Sequence, residues 1–422
     1  MATRLAIPAI LIGALAIRMP FAFLDPVVIT DPHVIAGWAT SLASGGISGL
    51  LDSTSNVVYP PLALLALWLV GLLREPLVGM RLMGILGDVC LAAVVAVLVR
   101  GHRPRVRIAI VASIAFNPAL WYLSAIWGQL DSVYALLGVV SLGWLAGGRR
   151  VPAAAAEGFS IAWKLQGLVI APVVAAVVLR GRRLSTIVAA AAAAVVAVTI
   201  SAVALSAVAG FDPRYIARLW PSATPANISA FNVWYVATLV PHGLHPSSAA
   251  PSAVSSNSAA AGLIGVAAVG VVTLVVCVAL FRMRDEPRLP LLALAGATLT
   301  IGAFVFLAGM HERYLVAAIP LLALAAAGAG TGQIDRGAAV AFVAITVTQT
   351  LNLLAVGSFA TNLWVDIFAG RTGPLAPAFV ALGVVSVVVN VAVLGWCLWR
   401  FTVLGAGTFP ALGRFGLRSR AS

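Results

Sequence analysis

Lysine is almost missing from this chain: among its 26 basic residues, Lys164 is the single one that is not arginine. Charge of any kind is scarce, at 9% of 422 residues with only 13 acids, and no polar stretch is long enough to build a soluble domain. The three cysteines, Cys90, Cys277 and Cys397, all lie in apolar runs, which argues against a disulfide framework and for buried thiols. The five histidines (His33, His102, His242, His245 and His311) contain no pair at the i, i+4 helical spacing of a zinc site, and neither a metal nor a cofactor is expected. No internal repeat of fixed period is present.

What the chain has is apolar sequence, 62% of its residues, with a mean hydropathy of +1.06. Much of it falls in runs of about 20 residues, the length that crosses a bilayer. The net charge of +13 does not point to nucleic acid. The arginines cluster at segment ends (Arg100–Arg107, Arg149–Arg150, Arg180–Arg183, Arg282–Arg288, and the tail from Arg400), the mark of loops held on the cytoplasmic side. The N-terminal stretch resembles a signal peptide, but no A-x-A-like cleavage site comes after it, and it reads as a retained first span.

Keeping all basic clusters inside predicts an all-α polytopic protein with 12 crossings, near residues 5–24, 77–100, 107–125, 131–147, 151–164, 167–180, 185–209, 259–281, 289–309, 314–329, 338–356 and 376–400. The whole chain, 1–422, is then one membrane domain with both termini cytoplasmic and a tail over 401–422. The outer face carries a first loop over 25–76, a second over 210–258 with a Pro/Ser-rich stretch around 241–258, the turn at 311–313 and the segment 357–375. The apolar segment from Pro60 to Leu73 is too short to span and reads as an interfacial or re-entrant helix. The short pieces flanking Lys164 read as two half-penetrating helices with the lysine near their tip.

Because ionisable groups at membrane depth are costly without a task or a partner, the few polar residues carry the functional information. Asp31-Pro32 is a helix start, with Val34, Ile35, Trp38 and Leu42 on one face and Gly45-Gly46 as the stop, which predicts an interfacial helix over 32–43. Asp31 is either a plain N-cap or a carboxylate fixed at the surface as a general base. Tyr59, before Pro60-Pro61-Leu62, is either an interfacial belt tyrosine or a hydroxyl for a phosphate or sugar. In Trp127-Gly128-Gln129-Leu130-Asp131-Ser132, Asp131 either caps the next helix or binds substrate. Lys164-Leu165-Gln166 offers an ammonium that either neutralises Asp131, Glu157 or Asp88 or meets a lipid phosphate. Asn227-Ile228-Ser229 through Asn232, Trp234 and Tyr235 supply aromatics that either stack on substrate or anchor an interfacial helix. His311-Glu312-Arg313-Tyr314 puts four polar residues in a tight turn, with donors suited to a phosphate.

In this order, the first-loop aspartate before a helix with Trp-Ala, Y-P-P-L at 59–62, W-G-Q-x-D-S at 127–132, Lys-x-Gln at 164–166, Asn-x-Trp at 232–234 and H-E-R-Y at 311–314 resemble a family. It is the integral-membrane glycosyltransferases of the C-type fold that use polyprenyl-phosphate sugars, in particular the bacterial relatives of the eukaryotic GPI-anchor mannosyltransferases. H-E-R-Y is also similar to the H-E-K element of the dolichyl-phosphate-glucose-dependent transferases. The resemblance covers roughly residues 5–330, and the last two spans add nothing diagnostic.

It implies a bacterial plasma-membrane enzyme that moves a sugar, most readily mannose, from a polyprenyl phosphate to a lipid-linked or glycan acceptor on the outer side. Asp31 is then the catalytic base, with Asp25 as competitor. Tyr59, Lys164, His311 and Arg313 lie near the donor phosphate; the polar residues around them, Gln129, Asp131, Gln166, Asn232, Trp234, Glu312 and Tyr314, are the candidates to line the substrate. A transporter or flippase of a lipid-linked sugar is the other class with many spans and a buried lysine, but it needs a polar path reachable from both faces, whereas here the polar groups gather on one.

Overall fold

A computed structural model describes residues 2–24, 30–54, 59–181, 183–219, 230–239, 258–328, 333–356 and 376–405. Asp25, the 227–229 stretch, most of the Pro/Ser-rich loop, the 357–375 segment and most of the tail lie outside the described residues. All regular structure among the described residues is helical. In chain order the α-helices are α1 (Ala2–Phe23), α2 (Thr30–Ser53), α3 (Pro61–Gly71), α4 (Pro76–Leu98), α5 (Pro104–Ala115), α6 (Pro118–Trp121), α7 (Asp131–Ala146), α8 (Arg150–Trp163), α9 (Ala171–Arg180), α10 (Leu184–Ala209), α11 (Arg214–Arg218), α12 (Val233–Leu239), α13 (Ser258–Arg282), α14 (Leu289–Phe306), α15 (Ala318–Ala326), α16 (Arg336–Val356) and α17 (Ala376–Gly405).

Nine described helices are long and apolar enough to cross a membrane. Eight fall on expected spans: α1, α4, α5 with its continuation to Ile126, α10, α13, α14, α16 and α17. The expected segments at 131–147, 151–164, 167–180 and 314–329 form α7, α8, α9 and α15, of 16, 14, 10 and 9 residues, each below the length that spans a bilayer alone.

The ninth candidate, Asp31–Ser53, replaces the shorter helix expected over 32–43. Gly46 breaks it with φ 64° and ψ −161°, a conformation that glycine adopts without a Cβ penalty, but helix resumes beyond it. The reason is burial: Ile47, Leu50 and Leu51 pack into the same core as Ile35, Ala39 and Leu42. The 210–219 segment then clamps the extension, Arg218 donating to the Leu51 carbonyl at 2.9 Å and Ser48 to Asp212 at 3.1 Å.

Proline sets several starts. Pro61, Pro76, Pro104 and Pro118 open α3, α4, α5 and α6 in the first turn, where the missing N–H costs nothing. Asn117 caps α6, its Oδ1 accepting from the amides of Ala119 and Leu120 at 3.1 and 3.3 Å. Small residues let α8 and α10 approach closely, since a Cβ on Gly158 would lie 2.5 Å from the Ala194 carbonyl oxygen.

One ion pair ties α1 to α4 within this frame. Arg18 of α1, wholly buried, donates to Asp88 of α4 at 3.1 Å, and Ser124 and Ser132 donate to the same carboxylate. Removing one partner of such a pair leaves an uncompensated buried charge. Asp88→Ala is therefore expected to destabilise the detergent-solubilised protein by about 3–5 kcal/mol, read as a fall in melting temperature. The double change Arg18→Met, Asp88→Leu should recover most of that loss.

Candidate active site

Departures from regular helix aim the polar side chains. After α6 the chain widens into a π-helical turn over Tyr122–Ile126, a feature that inserts a residue and turns the side chains beyond it to a new direction. Gly128 then takes φ 70°, and the Gln129 amide closes back onto the Leu123 carbonyl at 2.9 Å. A Cβ at Gly128 would sit 3.1 Å from Arg81 Cγ and 3.7 Å from Pro32, so this corner packs on α4 and on the start of α2. Asp131 opens α7 with its side chain fully buried.

Lys164 leaves α8 in extended conformation (φ −155°, ψ 133°), and a 3-10 turn over Leu165–Val169 comes next. The break is stabilised by Trp163, whose indole donates to the Leu130 carbonyl at 3.1 Å. It turns the lysine towards α7, where its Nζ reaches Asp131 Oδ1 at 2.5 Å. The two other acids weighed for this lysine are elsewhere: Asp88 belongs to Arg18, and both carboxylate oxygens of buried Glu157 lack a hydrogen-bond partner.

The segment between α14 and α15 meets this pair. The Lys164 ammonium stands 5.0 Å over the Tyr314 ring and 5.8 Å from that of Tyr134, within cation–π range, and Gln166 neighbours the Tyr314 hydroxyl. Arg313 donates to Glu312 at 2.7 Å, and His311 Nδ1 lies 3.6 Å from the other oxygen of that carboxylate. Arg313 Nη1 also lies 3.5 Å from Asp31 Oδ2, to which Gln129 donates at 3.4 Å. Asp31, Gln129, Asp131, Lys164, Gln166, His311, Glu312, Arg313 and Tyr314 thus form one continuous cluster drawn from four separate parts of the chain. Tyr59 stands beside it, with Trp38 edge-on to its ring at 5.9 Å.

Burial and charge set the protonation pattern. Burial alone raises the Glu312 carboxyl, but Arg313 and His311 outweigh it and hold it at about 2. Burial pushes the Tyr59 hydroxyl well above its ordinary value, with Asp131, Tyr314 and Asp31 adding to the rise and Arg313 opposing it. Tyr314 is pushed up to about 12, mainly by burial. Both phenols therefore stay protonated at neutral pH. Among the acids, exposure differs sharply: the Asp31 side chain is 43% exposed, Glu312 3% and Asp131 0%. Three buried polar atoms of the cluster have no partner, namely Gln129 Oε1, Asp131 Oδ2 and Arg313 Nε, and the hydroxyl of neighbouring Tyr134 has none either.

Asn232 and Trp234 are engaged one step away. Asn232 caps α12, accepting from the amides of Trp234 and Tyr235, and donates to the Phe304 carbonyl at 3.2 Å, while the Trp234 indole donates to Phe306 at 2.7 Å. Their polar atoms fasten α12 to the end of α14, from which the H-E-R-Y segment departs. Three residues that sequence reasoning passed over also belong here. Tyr134 lies one helical turn after Asp131. Arg81, buried in α4 and donating to the Leu24 carbonyl, was visible as an arginine outside the basic clusters. Gln349, fully buried in α16, donates to the Glu312 carbonyl at 2.9 Å, and it stood out as an amide inside an apolar span.

An all-helical multi-pass membrane frame with a charged cluster where helices break defines a membrane protein built to handle a polar group. The family model for glycosyltransferase family 87 matches residues 57–308, and the chain belongs to that family. No curated protein matches. Among solved structures, the crystal structure of ArnT from Cupriavidus metallidurans bound to undecaprenyl phosphate aligns over 93% of this chain and 77% of that chain, with 15% identity and a TM-score of 0.46.

The Glu312 carboxyl gives a pH signature. Its folded value of about 2 lies below the unfolded 4.5, so its stabilising contribution is complete above pH 4.5 and is lost as pH falls towards 2. The contribution is roughly 3 kcal/mol. Glu312→Gln should flatten the acid limb of stability between about pH 4.5 and 2, measured by denaturation of the protein in detergent.

Proposed function

We propose that this glycosyltransferase takes its sugar from a polyprenyl phosphate and transfers it, with inversion, to a hydroxyl of a lipid-linked or glycan acceptor, using Asp31 as general base. One observation carries the proposal: the single acid of the cluster open to solvent is Asp31, and it stands 3.5 Å from Arg313, the cation best suited to a phosphate. Family membership supplies the reaction class.

A phosphate is already a good leaving group, so one base suffices, unlike the two carboxylates of most glycosidases. Asp31 takes the proton of the acceptor hydroxyl as its oxygen attacks the anomeric carbon from the face opposite the phosphate. The bond from that carbon to the phosphate oxygen breaks, and its electron pair leaves with the phosphate. Arg313, Lys164 and His311 oppose the charge that grows there, fixed in advance by burial and pairing. Gln129 steadies Asp31 through its amide. Gln166 and Tyr314 hold the wall beside Lys164, and Tyr59 lends a protonated hydroxyl. The apolar helices around the cluster suit an isoprenoid tail. A β-mannosyl phosphate donor gives an α-mannoside, and the clustering of arginines in the other loops favours a reaction on the outer face.

The decisive assay incubates the purified protein in nanodiscs with radiolabelled polyprenyl-phosphate mannose, glucose or arabinose and identifies the labelled product. Mannose is the expected label. Asp31→Asn should lower transfer by about 10²–10⁴-fold while leaving the melting temperature unchanged. Undiminished transfer by folded Asp31→Asn protein removes Asp31 as the base. Arg313→Lys, which loses the planar fork, should weaken the rate at limiting donor more than the rate at saturation.

A further inference from the structure

We infer that Glu312 and Asp131 are resident counter-anions: each stays on a cation that the donor phosphate must share, so the phosphate binds beside a carboxylate rather than by filling an excess of positive charge. The inference rests on the assignment of this site to a polyprenyl-phosphate donor.

Lys164 and Arg313 are both already engaged, Lys164 with Asp131 at 2.5 Å and Arg313 with Glu312 at 2.7 Å. Asp31 adds a third carboxylate 3.5 Å from Arg313. With these groups ionised, three acids stand against Lys164, Arg313 and the neighbouring buried Arg81, so apart from His311, charged only when protonated, the cluster holds no surplus of positive charge, unlike a simple phosphate trap. Asp131 and Glu312 are buried and held on rigid backbone, Asp131 at the head of α7 and Glu312 with its carbonyl tied to Gln349. They do not swing into water when a phosphate arrives. What the cations still offer is free edges: Arg313 Nε is buried without a partner, and the Lys164 ammonium carries three donors, of which one goes to Asp131. A phosphate on those edges shares each cation with a carboxylate that repels it. Ground-state affinity is thereby held down, and the lipid phosphate left after transfer is released rather than retained. Stabilisation is kept for the moment when charge builds on the leaving oxygen.

Removing the negative charge at constant shape should therefore tighten binding of the lipid phosphate, the opposite of what loss of a merely structural contact would do. The probe is radiolabelled undecaprenyl phosphate, titrated onto the full-length protein in nanodiscs, for wild type, Glu312→Gln, Asp131→Asn and Arg313→Ala. Close charge pairs of this kind couple strongly enough to move affinity by roughly tenfold or more. The expected result is tighter binding by about that factor in both isosteric variants, and loss of binding in Arg313→Ala. If Arg313→Ala loses binding but neither isosteric variant tightens, the counter-anion inference falls and the donor assignment stands. If Arg313→Ala binds as wild type does, the donor assignment falls and takes the inference with it. A replaceable counter-anion must also be dispensable once phosphate is supplied. Failure of both isosteric variants to accumulate folded protein, even when purified with undecaprenyl phosphate, overturns the inference as well.

Discussion

The Lys164–Asp131 pair is the interaction on which the site depends. In an apolar bundle neither group is tolerable alone, because an unpaired buried charge costs several kcal/mol. Their pairing fixes the end of α8 to the head of α7 at 2.5 Å, and the same ammonium attracts the face of Tyr314. That contact brings the H-E-R-Y segment against α7, and from there Arg313 reaches Asp31 at the start of α2. Four distant parts of the sequence are drawn together through one salt bridge and its neighbours.

The backbone makes this possible by abandoning regular helix where the polar groups are needed. A straight α-helix through 118–146 would spread Gln129 and Asp131 round its circumference. The π-helical turn and the positive φ of Gly128 bring both to one side. Lys164 likewise gains its direction by leaving α8. Behind the cluster, α16 and α17 act as struts: Gln349 holds the Glu312 carbonyl, Asn352 accepts from the Phe231 amide, and Asn390 joins Thr348 to the Phe231 carbonyl. Spans that carry no recognisable motif support the backbone that presents the motif.

Much of this was legible in the chain, for a physical reason. An ionisable residue in an apolar run stands out because of its cost, so Lys164, Asp131 and the H-E-R-Y segment announce themselves. Apolar runs likewise reveal eight of the long helices. Partner choice was not legible. Asp131, Glu157 and Asp88 are equivalent on paper as counterions for Lys164, and only tertiary packing assigns Asp88 to Arg18 and Asp131 to the lysine. The extension of α2 past Gly46 was hidden for a related reason. A glycine pair ends a helix by local rules, whereas burial of Ile47, Leu50 and Leu51 and the clamp from Arg218 restart it. Asn232 and Trp234 look like substrate residues by type, yet their hydrogen bonds serve α12 and the end of α14.

The unequal exposure of the three acids gives each a separate part. A carboxylate sealed beside a cation, as Asp131 and Glu312 are, has its charge spent on that partner and no room for an incoming hydroxyl. Asp31 touches Arg313 and Gln129 only at 3.5 and 3.4 Å, distances at which a hydrogen bond is weak, and water reaches it. Its lone pairs stay available, while the two donors keep the carboxylate aimed at the cluster. A phosphate approaching Arg313 would compete first with this loosest of the three contacts. On the proposed mechanism, arrival of the donor frees Asp31, and the step that assembles the substrate also readies this carboxylate to accept a proton.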